Sequence, residues 1–397
     1  SYVAANGEPI PRPNITKHSE NCAYSAAASG PAIGFVKNAG AKTLIIAERD
    51  PHYSETNPAV FEHRLLDDTV YIDTDTSVLG KQFLRVPFVS PRYWGTIVRL
   101  LLSGERKRHG VKFLVKAIAS AGVVSEDDFD MVHSHSLFST YDYLYMKEVF
   151  GIPMTTTFHG LVPGNVKMLE AKKISAVLNS TDAFFVNTRF ACQQLRDFGC
   201  DRSKIHIIPQ GTNTADFPFR ERAIPRNAPA VILSVGRLSR EKGFHIAINA
   251  IAELFANDVD IEYSIVGDGI ERDNLGQQIR DLGLEGRVKL LGSVSTEELR
   301  SHYADAHIFV LPSIDLQDGT HTETQGVVLQ EAQSSGLPVI ASRTGGIPEI
   351  IRDGETGLLF DQNDTAGLAR RIQSLVTDPA QYQSLCLNGR RDVDENY

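Results

Sequence analysis

Cysteine is scarce in this chain, and the four residues present form no CxxC pair: Cys22, Cys192, Cys200 and Cys386. Thiols this few and this far apart exclude a disulfide framework and indicate a reducing compartment. Long apolar runs are also missing, because none approaches the ~20 residues of a membrane-spanning helix. Residues 1–10 lack the basic stretch and apolar core of a secretory signal. We therefore expect a cytoplasmic protein that touches a membrane only peripherally, at its inner face.

An excess of basic residues is lacking as well, since the formal net charge is -9 at pH 7. This balance argues against a general nucleic-acid partner. With 42% hydrophobic and 22% charged residues, the composition is that of an ordinary globular protein. The length of 397 residues predicts two domains of ~200 residues each.

Two glutamates stand out in the C-terminal half. A strand-like run at 306–311 leads through a polar loop into an amphipathic segment at 325–336, and a second strand-like run follows at 338–341. Glu323 is predicted at the mouth of this helix and Glu331 two turns into it, ~12 Å further along the axis. That separation suits a ligand with two polar ends.

The helix start between these glutamates is suited to binding phosphate. Gln325, Gly326, Val327 and Val328 supply first-turn amides that have no partner within the helix. Gly326 lets a ligand come close to the backbone. Such a helix start attracts anions.

The stretch ETQGVVLQEAQSSGLPVIASRTGGIPEII, residues 323–351, resembles the retaining glycosyltransferases of family 4, the glycosyl transferases group 1. Their signature is two glutamates with seven residues between them. The resemblance is close over 231–391 and weaker before. It implies an α/β fold of the GT-B type, with two doubly wound Rossmann-like domains facing a central cleft. It also implies that Glu323 holds hydroxyls of the donor sugar and that Glu331 holds the nucleotide ribose.

The domain bounds follow from this reading of the chain. We predict an N-terminal, acceptor-side domain over 1–221 and a charged, proline-containing linker over 222–229. The nucleotide-sugar-binding domain is predicted over 230–385, and a C-terminal helical tail is predicted to start within 386–397.

A second phosphate-binding turn follows the apolar strand predicted at 230–235. Glycines flank Arg237 and Lys242 in this turn. The turn lies at the carboxyl end of the strand, where doubly wound sheets bind phosphates. In the family that it resembles, this arginine and lysine grip the donor diphosphate. The resemblance further implies that Gly267 approaches the phosphates and that Val294 meets the nucleobase.

Two alternative functions remain open. Gly267 and Gly269 after a predicted strand also fit a nicotinamide-dependent oxidoreductase, although Arg272 replaces the third glycine and Gly292 stands where an acidic residue is needed. The other alternative is a nucleotide-sugar epimerase of the same fold, which needs an acid and a base at the sugar.

Histidines end two predicted strands of the N-terminal half, at 129–133 and 153–158. The resemblance implies that His159 approaches the donor sugar, and His135 is a weaker candidate. No further ligand at helical spacing completes a metal site around these histidines. The DxD at 73–75 is interpreted as the solvated turn of a hairpin, within a segment at 48–91 interpreted as an insertion.

The predicted activity is transfer of a hexose-type sugar from a UDP- or GDP-sugar to an acceptor, in polysaccharide or glycolipid biosynthesis. The expected catalytic set is His159, Glu323, Arg237 and Lys242. Fixed positive charge takes the place of a divalent metal, so neither a metal nor a cofactor is expected. The family implies retention by front-face attack, with the leaving phosphate as base.

A basic stretch at 94–120 indicates the acceptor. Its apolar members are expected to face the core: Trp94, Ile97, Leu100, Leu101, Leu102, Phe113, Leu114 and Ile118. Its basic members are expected to form a rim: Arg99, Arg106, Lys107, Arg108, Lys112 and Lys116. Such a rim suits an anionic, lipid-linked acceptor at a membrane surface.

Overall fold

The computed structural model describes residues 43–47, 69–73, 98, 102, 130–160, 171–316 and 322–397. The chain divides into two compact units. The first comprises residues 1–159 and 165–208, and the second comprises 160–164 and 209–397. The predicted boundary at residue 221 lies C-terminal to this division.

The first unit is built on a parallel sheet. Its described strands are β1 (Thr43–Ala47), β2 (Thr69–Asp73), β3 (Met131–Ser134), β4 (Met154–Phe158), β5 (Ala183–Val186) and β6 (Ile205–Ile207). They lie in the order β2-β1-β3-β4-β5-β6, and each neighbouring pair is parallel. The helices described here are α1 (Leu137–Asp142), α2 (Leu144–Glu148), α3 (Ala171–Ser180) and α4 (Arg189–Asp197). Strand β3, with the sequence MVHS, is buried throughout, as is typical of a strand inside a parallel sheet covered on both faces.

Strand β2 corrects the interpretation of the segment at 48–91. Thr69–Asp73 pairs in parallel with β1, so this segment contributes a strand to the main sheet. Apolar and polar residues alternate before the DxD, but a period of two does not distinguish a hairpin from a parallel edge strand. Residues 74 and 75 of the DxD lie outside the described residues.

The second unit is also a parallel sheet covered by helices. Its strands are β7 (Ala230–Val235), β8 (Ile261–Val266), β9 (Val288–Gly292), β10 (Ile308–Leu311), β11 (Val339–Ser342) and β12 (Leu358–Phe360). Its helices are α5 (Phe244–Ala256), α6 (Arg272–Asp281), α7 (Thr296–Asp305), α8 (Val327–Ser334), α9 (Ile347–Ile350), α10 (Thr365–Thr377) and α11 (Pro379–Asn396). The strand order is β12-β11-β10-β7-β8-β9. The chain therefore fills one side of the sheet from β7 and then returns to fill the other side from β10.

Little of the basic stretch at 94–120 falls within the described residues, which here are Val98 and Leu102. Both are helical and exposed, and Leu102 is 80% exposed. The prediction that Leu102 faces the core is therefore wrong.

Within the described parts of the chain, no helix has the length and apolar character needed to cross a membrane.

Arg222, the first residue of the predicted linker, is anchored in the second unit. Its Nη1 donates to the carbonyls of Ala304 and Ala306, each at 2.6 Å. Its Nη2 donates to the carbonyls of Tyr303 at 2.9 Å and Ser335 at 3.0 Å. These carbonyls end helices α7 and α8, where a cation is favourable. One guanidinium thus ties two helix ends together, and its burial lowers the pKa of Arg222.

Replacing this guanidinium should destabilise the second unit. Arg222→Met keeps an apolar stem but leaves several partly buried carbonyls without a donor, so we expect the free energy of unfolding to fall by about 3 kcal/mol. Urea denaturation followed by circular dichroism measures the change. Arg226→Met is the matched control, because Arg226 is an exposed arginine of the same segment. Equal stability of the two variants would contradict the role of Arg222 in joining the ends of α7 and α8.

Candidate active site

The reversal of strand order in the second unit defines where a ligand can bind. Strands β7 and β10 lie side by side, and the chain leaves them toward opposite edges of the sheet. In doubly wound sheets, ligands bind beyond the carboxyl ends of the strands at such a switch point. The loop after β7 carries Arg237 and Lys242, and the loop after β10 carries Glu323.

An ion pair joins these two loops. Lys242 Nζ lies 2.6 Å from Glu323 Oε2, and Ser313 Oγ donates to the same oxygen at 3.3 Å. The side chains of Lys242 and Glu323 are 18% and 13% exposed, so water screens their attraction only in part. Two residues predicted to hold different parts of the donor are therefore in direct contact.

A buried carboxylate holds Arg237. Arg237 Nη2 lies 3.0 Å from Glu241 Oε1, and Ser239 Oγ donates to that oxygen at 2.6 Å. Glu241 is 3% exposed, whereas the Arg237 side chain is 33% exposed. Among the described residues, Arg237 Nη1 has no hydrogen-bond partner. The guanidinium is thus held at Nη2 by Glu241 and at Nε by a longer contact of 3.4 Å with Ser239 Oγ, and Nη1 is the nitrogen that could meet a ligand.

Glu241 was not predicted from the sequence. It lies in the 3₁₀ turn Arg240–Lys242 between two basic residues, a setting typical of a solvated loop. Its neighbour Ser239 gives no signal of burial either. The only available signal was an acid within a turn assigned to phosphate binding.

Helix α8 begins later than predicted. It starts at Val327, so Glu323 lies in the preceding loop and the axial spacing of ~12 Å does not apply to it. The N-cap is Gly326, in the left-handed region at φ 79 and ψ 63, where a Cβ would lie 2.9 Å from Leu311 Cδ2. No side chain of the described residues caps this helix. The amides of Val327 and Val328 therefore lie at an uncapped helix start, as an anion site requires.

Glu331 has different surroundings from Glu323. It is half-buried on α8, and its Oε2 accepts a hydrogen bond of 2.8 Å from Tyr303 Oη. Burial raises the pKa of Glu331, the Tyr303 hydrogen bond opposes this rise, and the charge of Asp216 adds to it. Among the residues that the structure describes, the second glutamate forms no ion pair with a cation.

Gln325, directly before Gly326, also has a defined contact. Gln325 Oε1 accepts from the Gln210 amide at 2.9 Å, and Gln325 Nε2 donates to the Gln210 carbonyl at 2.6 Å. Gln325 Nε2 also donates to Gln330 Oε1 at 3.1 Å. The side-chain amide of Gln325 thus forms two hydrogen bonds with the backbone of Gln210, in the turn that follows β6.

Gly267 is predicted to meet the phosphates and Val294 to meet the base. The structure places Gly267 against Gly292, two positions before Val294. Gly267 N donates to Gly292 O at 2.9 Å, and a Cβ at Gly267 would lie 2.0 Å from the Gly236 carbonyl. The need for glycine is thus explained by backbone packing, and the amide is occupied. Val294 is half-buried against the core of the second unit. Their roles toward a donor stay predictions.

Three histidines lie at the carboxyl ends of β3 and β4 in the first unit. His135 Nδ1 lies 3.1 Å from His159 Nε2, with the rings stacked at 5.4 Å. As a hydrogen bond, this contact needs an N–H on one of the two nitrogens and a free lone pair on the other. His133 contacts the hydroxyls of Thr155 at 2.8 Å and Thr157 at 3.1 Å, as a structural histidine does. The two candidate histidines are therefore brought together.

Among the described residues, no group of three or more His, Cys, Asp or Glu side chains is arranged to hold a metal ion.

The sequence matches two family profiles in succession. That of the glycosyl transferases group 1 matches residues 217–392, and that of Glycosyltransferase Family 4 matches residues 80–216. Glycogen synthase of Mycobacterium tuberculosis is 30% identical over 279 residues, which are 68% of this chain and 65% of that protein. The lipopolysaccharide core biosynthesis glycosyltransferase LpsE of Rhizobium meliloti is 36% identical over 217 residues, 54% of this chain and 59% of that protein. The chain thus spans less than two thirds of the length of these relatives.

Solved structures show the same fold. HepE of Anabaena, crystallised with UDP, has a TM-score of 0.68 at 18% identity, over 89% of this chain and 95% of HepE. Sucrose-phosphate synthase of Thermosynechococcus elongatus has a TM-score of 0.65 at 22% identity, over 94% and 92% of the two chains. The predicted class, two Rossmann-like α/β domains of the GT-B type, is confirmed. With consecutive profiles matched from residue 80 to residue 392, the chain belongs to the glycosyl transferases group 1.

Proposed function

We propose that this chain is a hexosyltransferase that moves a sugar from a nucleoside-diphosphate sugar to an acceptor hydroxyl, with retention of configuration. The observation that carries the proposal is the 2.6 Å contact between Lys242 and Glu323 at the switch point of the second sheet. It places a cation suited to a diphosphate beside a carboxylate suited to sugar hydroxyls.

The leaving diphosphate would be stabilised by Arg237, Lys242 and the amides at the start of α8. Fixed cations and amides aimed at growing negative charge lower the barrier most when they are already in place. Here Arg237 is held by Glu241, and Lys242 is held by Glu323. Two buried or half-buried carboxylates thus keep both cations in position before a donor arrives.

Glu323 would act on the sugar side of the same bond. Its carboxylate accepts hydroxyl hydrogen bonds, and its charge favours the oxocarbenium-like sugar of glycosyl transfer. The sugar role predicted for His159 stays a proposal, and His135 Nδ1 lies 3.1 Å from His159 Nε2. Glu331 would hold the ribose. The donor base is a pyrimidine or purine of a UDP- or GDP-sugar, and the UDP complex of HepE favours UDP.

Retention is proposed to follow from attack on the face that the diphosphate leaves. The bond from the anomeric carbon to the diphosphate oxygen breaks, and a bond to the acceptor oxygen forms on the same face. The acceptor proton passes to the departing diphosphate oxygen. The chain then needs to supply only charge stabilisation and orientation.

Removing the Arg237 charge should depress turnover. Arg237→Ala is expected to lower kcat by about 100-fold, because it removes charge stabilisation that grows as the diphosphate leaves. The matched control is Arg240→Ala, an exposed arginine of the same turn, which should keep wild-type turnover. Sugar transfer is measured with UDP-glucose and GDP-mannose. Equal turnover of the two variants would refute the assignment of Arg237.

Chelation should leave activity intact, because protein cations take the role of a divalent metal. The assay is sugar transfer before and after dialysis against EDTA, with the donor in excess. A complete loss restored by Mg²⁺ would contradict this proposal and direct attention to the DxD at 73–75.

The acceptor is proposed to be anionic and lipid-linked. The stretch at 94–120 carries six basic residues against one acid, Glu105. Val98 and Leu102, the described residues of this stretch, both expose apolar side chains. Basic residues beside an anionic membrane surface contribute about 1 kcal/mol each, and exposed apolar side chains add burial in the interface.

Co-sedimentation with vesicles tests this acceptor side. The protein should sediment with anionic phosphatidylserine vesicles at low salt, remain in solution with neutral phosphatidylcholine vesicles, and lose binding at high salt. The combined variant Arg106→Ser, Lys107→Ser and Arg108→Ser should lose vesicle binding and keep nucleotide binding. Equal recovery of the intact protein with and without anionic vesicles would favour a soluble acceptor.

A further inference from the structure

Tyr303 on helix α7 is a fully buried residue with a polar tip beside the candidate site. Its ring is stacked with Phe309 at 5.7 Å between centroids, and Phe217 meets it edge-on at 5.2 Å. Packing from two sides fixes the ring. The position of its hydroxyl is therefore set by the core of the second unit.

This hydroxyl has one good acceptor. Tyr303 Oη donates to Glu331 Oε2 at 2.8 Å, whereas the Val328 carbonyl lies at 3.5 Å, beyond an ordinary hydrogen bond between oxygens. A phenol hydroxyl taken out of water requires an acceptor. The bond to Glu331 is thus enforced by burial of Tyr303.

The hydrogen bond from Tyr303 fixes the orientation of the Glu331 carboxylate. Fixing Oε2 prevents the carboxylate from rotating about its last torsion, which is otherwise broad. Glu331 Oε1 has no hydrogen-bond partner among the described residues. One oxygen is therefore held by the protein and the other is held in place for a ligand.

We propose that Tyr303 is a positioning residue for the nucleoside of the donor, because its hydroxyl holds Glu331 in the orientation that accepts a ribose hydroxyl. This inference rests on the proposed function, which assigns Glu331 to the ribose. It adds a residue on another helix that acts through the carboxylate and does not touch the donor.

The charged groups around Glu331 define its pH behaviour. Asp216 faces it from the segment before β7 and is itself paired with Arg300 on α7. Burial already raises the pKa of Glu331, and the Tyr303 hydrogen bond opposes that rise. Ribose binding requires the ionised carboxylate, so affinity falls as pH falls through this pKa. Loss of the hydroxyl raises the pKa further and moves the fall in affinity to higher pH.

The test compares Tyr303→Phe with the wild type by titration calorimetry. UDP and GDP are both titrated, and the tighter ligand is used with its 2′,3′-dideoxy analogue. Tyr303→Phe keeps the packed ring and is expected to weaken nucleoside-diphosphate binding about 10-fold, the size of a lost hydrogen bond to a charged group. For the dideoxy analogue, wild type and variant should bind alike. The acid-side midpoint of affinity should rise in the variant.

Tyr263→Phe is the matched control. Tyr263 is fully buried in the same unit, and its Oη bonds Ser234 Oγ at 2.8 Å, away from Glu331. It should lose stability but keep nucleotide affinity and its pH midpoint. Equal weakening in Tyr263→Phe would assign the effect to general destabilisation and overturn the inference.

Glu331→Gln separates this inference from the proposed function. If Glu331→Gln weakens binding while Tyr303→Phe does not, the positioning role is wrong and the ribose role stands. If Glu331→Gln binds like the wild type, the ribose role is wrong and the inference falls with it. Equal losses in Tyr303→Phe, Glu331→Gln and the double variant would support the inference, since residues acting as one unit are not additive.

Discussion

Parallel pairing of β7 with β10 is the constraint on which the candidate site of the second unit depends. Ile308 pairs with Ile232 and Phe309 with Leu233, so the loops that follow these strands emerge side by side. Lys242 and Glu323, which are 81 positions apart in the chain, meet there. Because parallel strands need long crossovers, residues that act together are necessarily distant in sequence. The site is a product of the strand order and not of any one motif.

The sequence predicted those parts of the site that depend on residues close together in the chain. Apolar runs predicted the parallel strands, and two short motifs predicted the residue sets around Arg237 and Glu323. Contacts between elements were not predictable, because periodicity shows that Tyr303 is buried but not that Glu331 is its partner. The late start of α8 was missed because the left-handed Gly326 excludes a helical turn that the amphipathic pattern alone permits.

The two glutamates of one motif illustrate how surroundings divide the roles of identical side chains. Glu323 faces the ammonium of Lys242 and the hydroxyl of Ser313. Glu331 faces a phenol and the charge of Asp216, and its burial favours the neutral form. A diphosphate that reaches Lys242 meets a cation already neutralised by Glu323. Under the proposed function, donor binding would redistribute this ion pair, which would favour ligands that also carry a sugar over a bare phosphate.

The contacts of Arg222 determine where the chain can be cut to produce the second unit as a separate fragment. Phe217 packs on Tyr303, Arg222 joins the ends of α7 and α8, and Gln383 on α11 donates to the Arg222 carbonyl. A fragment cut at the start of β7 would lose all of these contacts, although the sheet itself would be complete. A chimaera that exchanges the second unit between relatives therefore needs its junction before Phe217. The segment from Phe217 to Arg222 then stays in the same chain as the helices that it contacts.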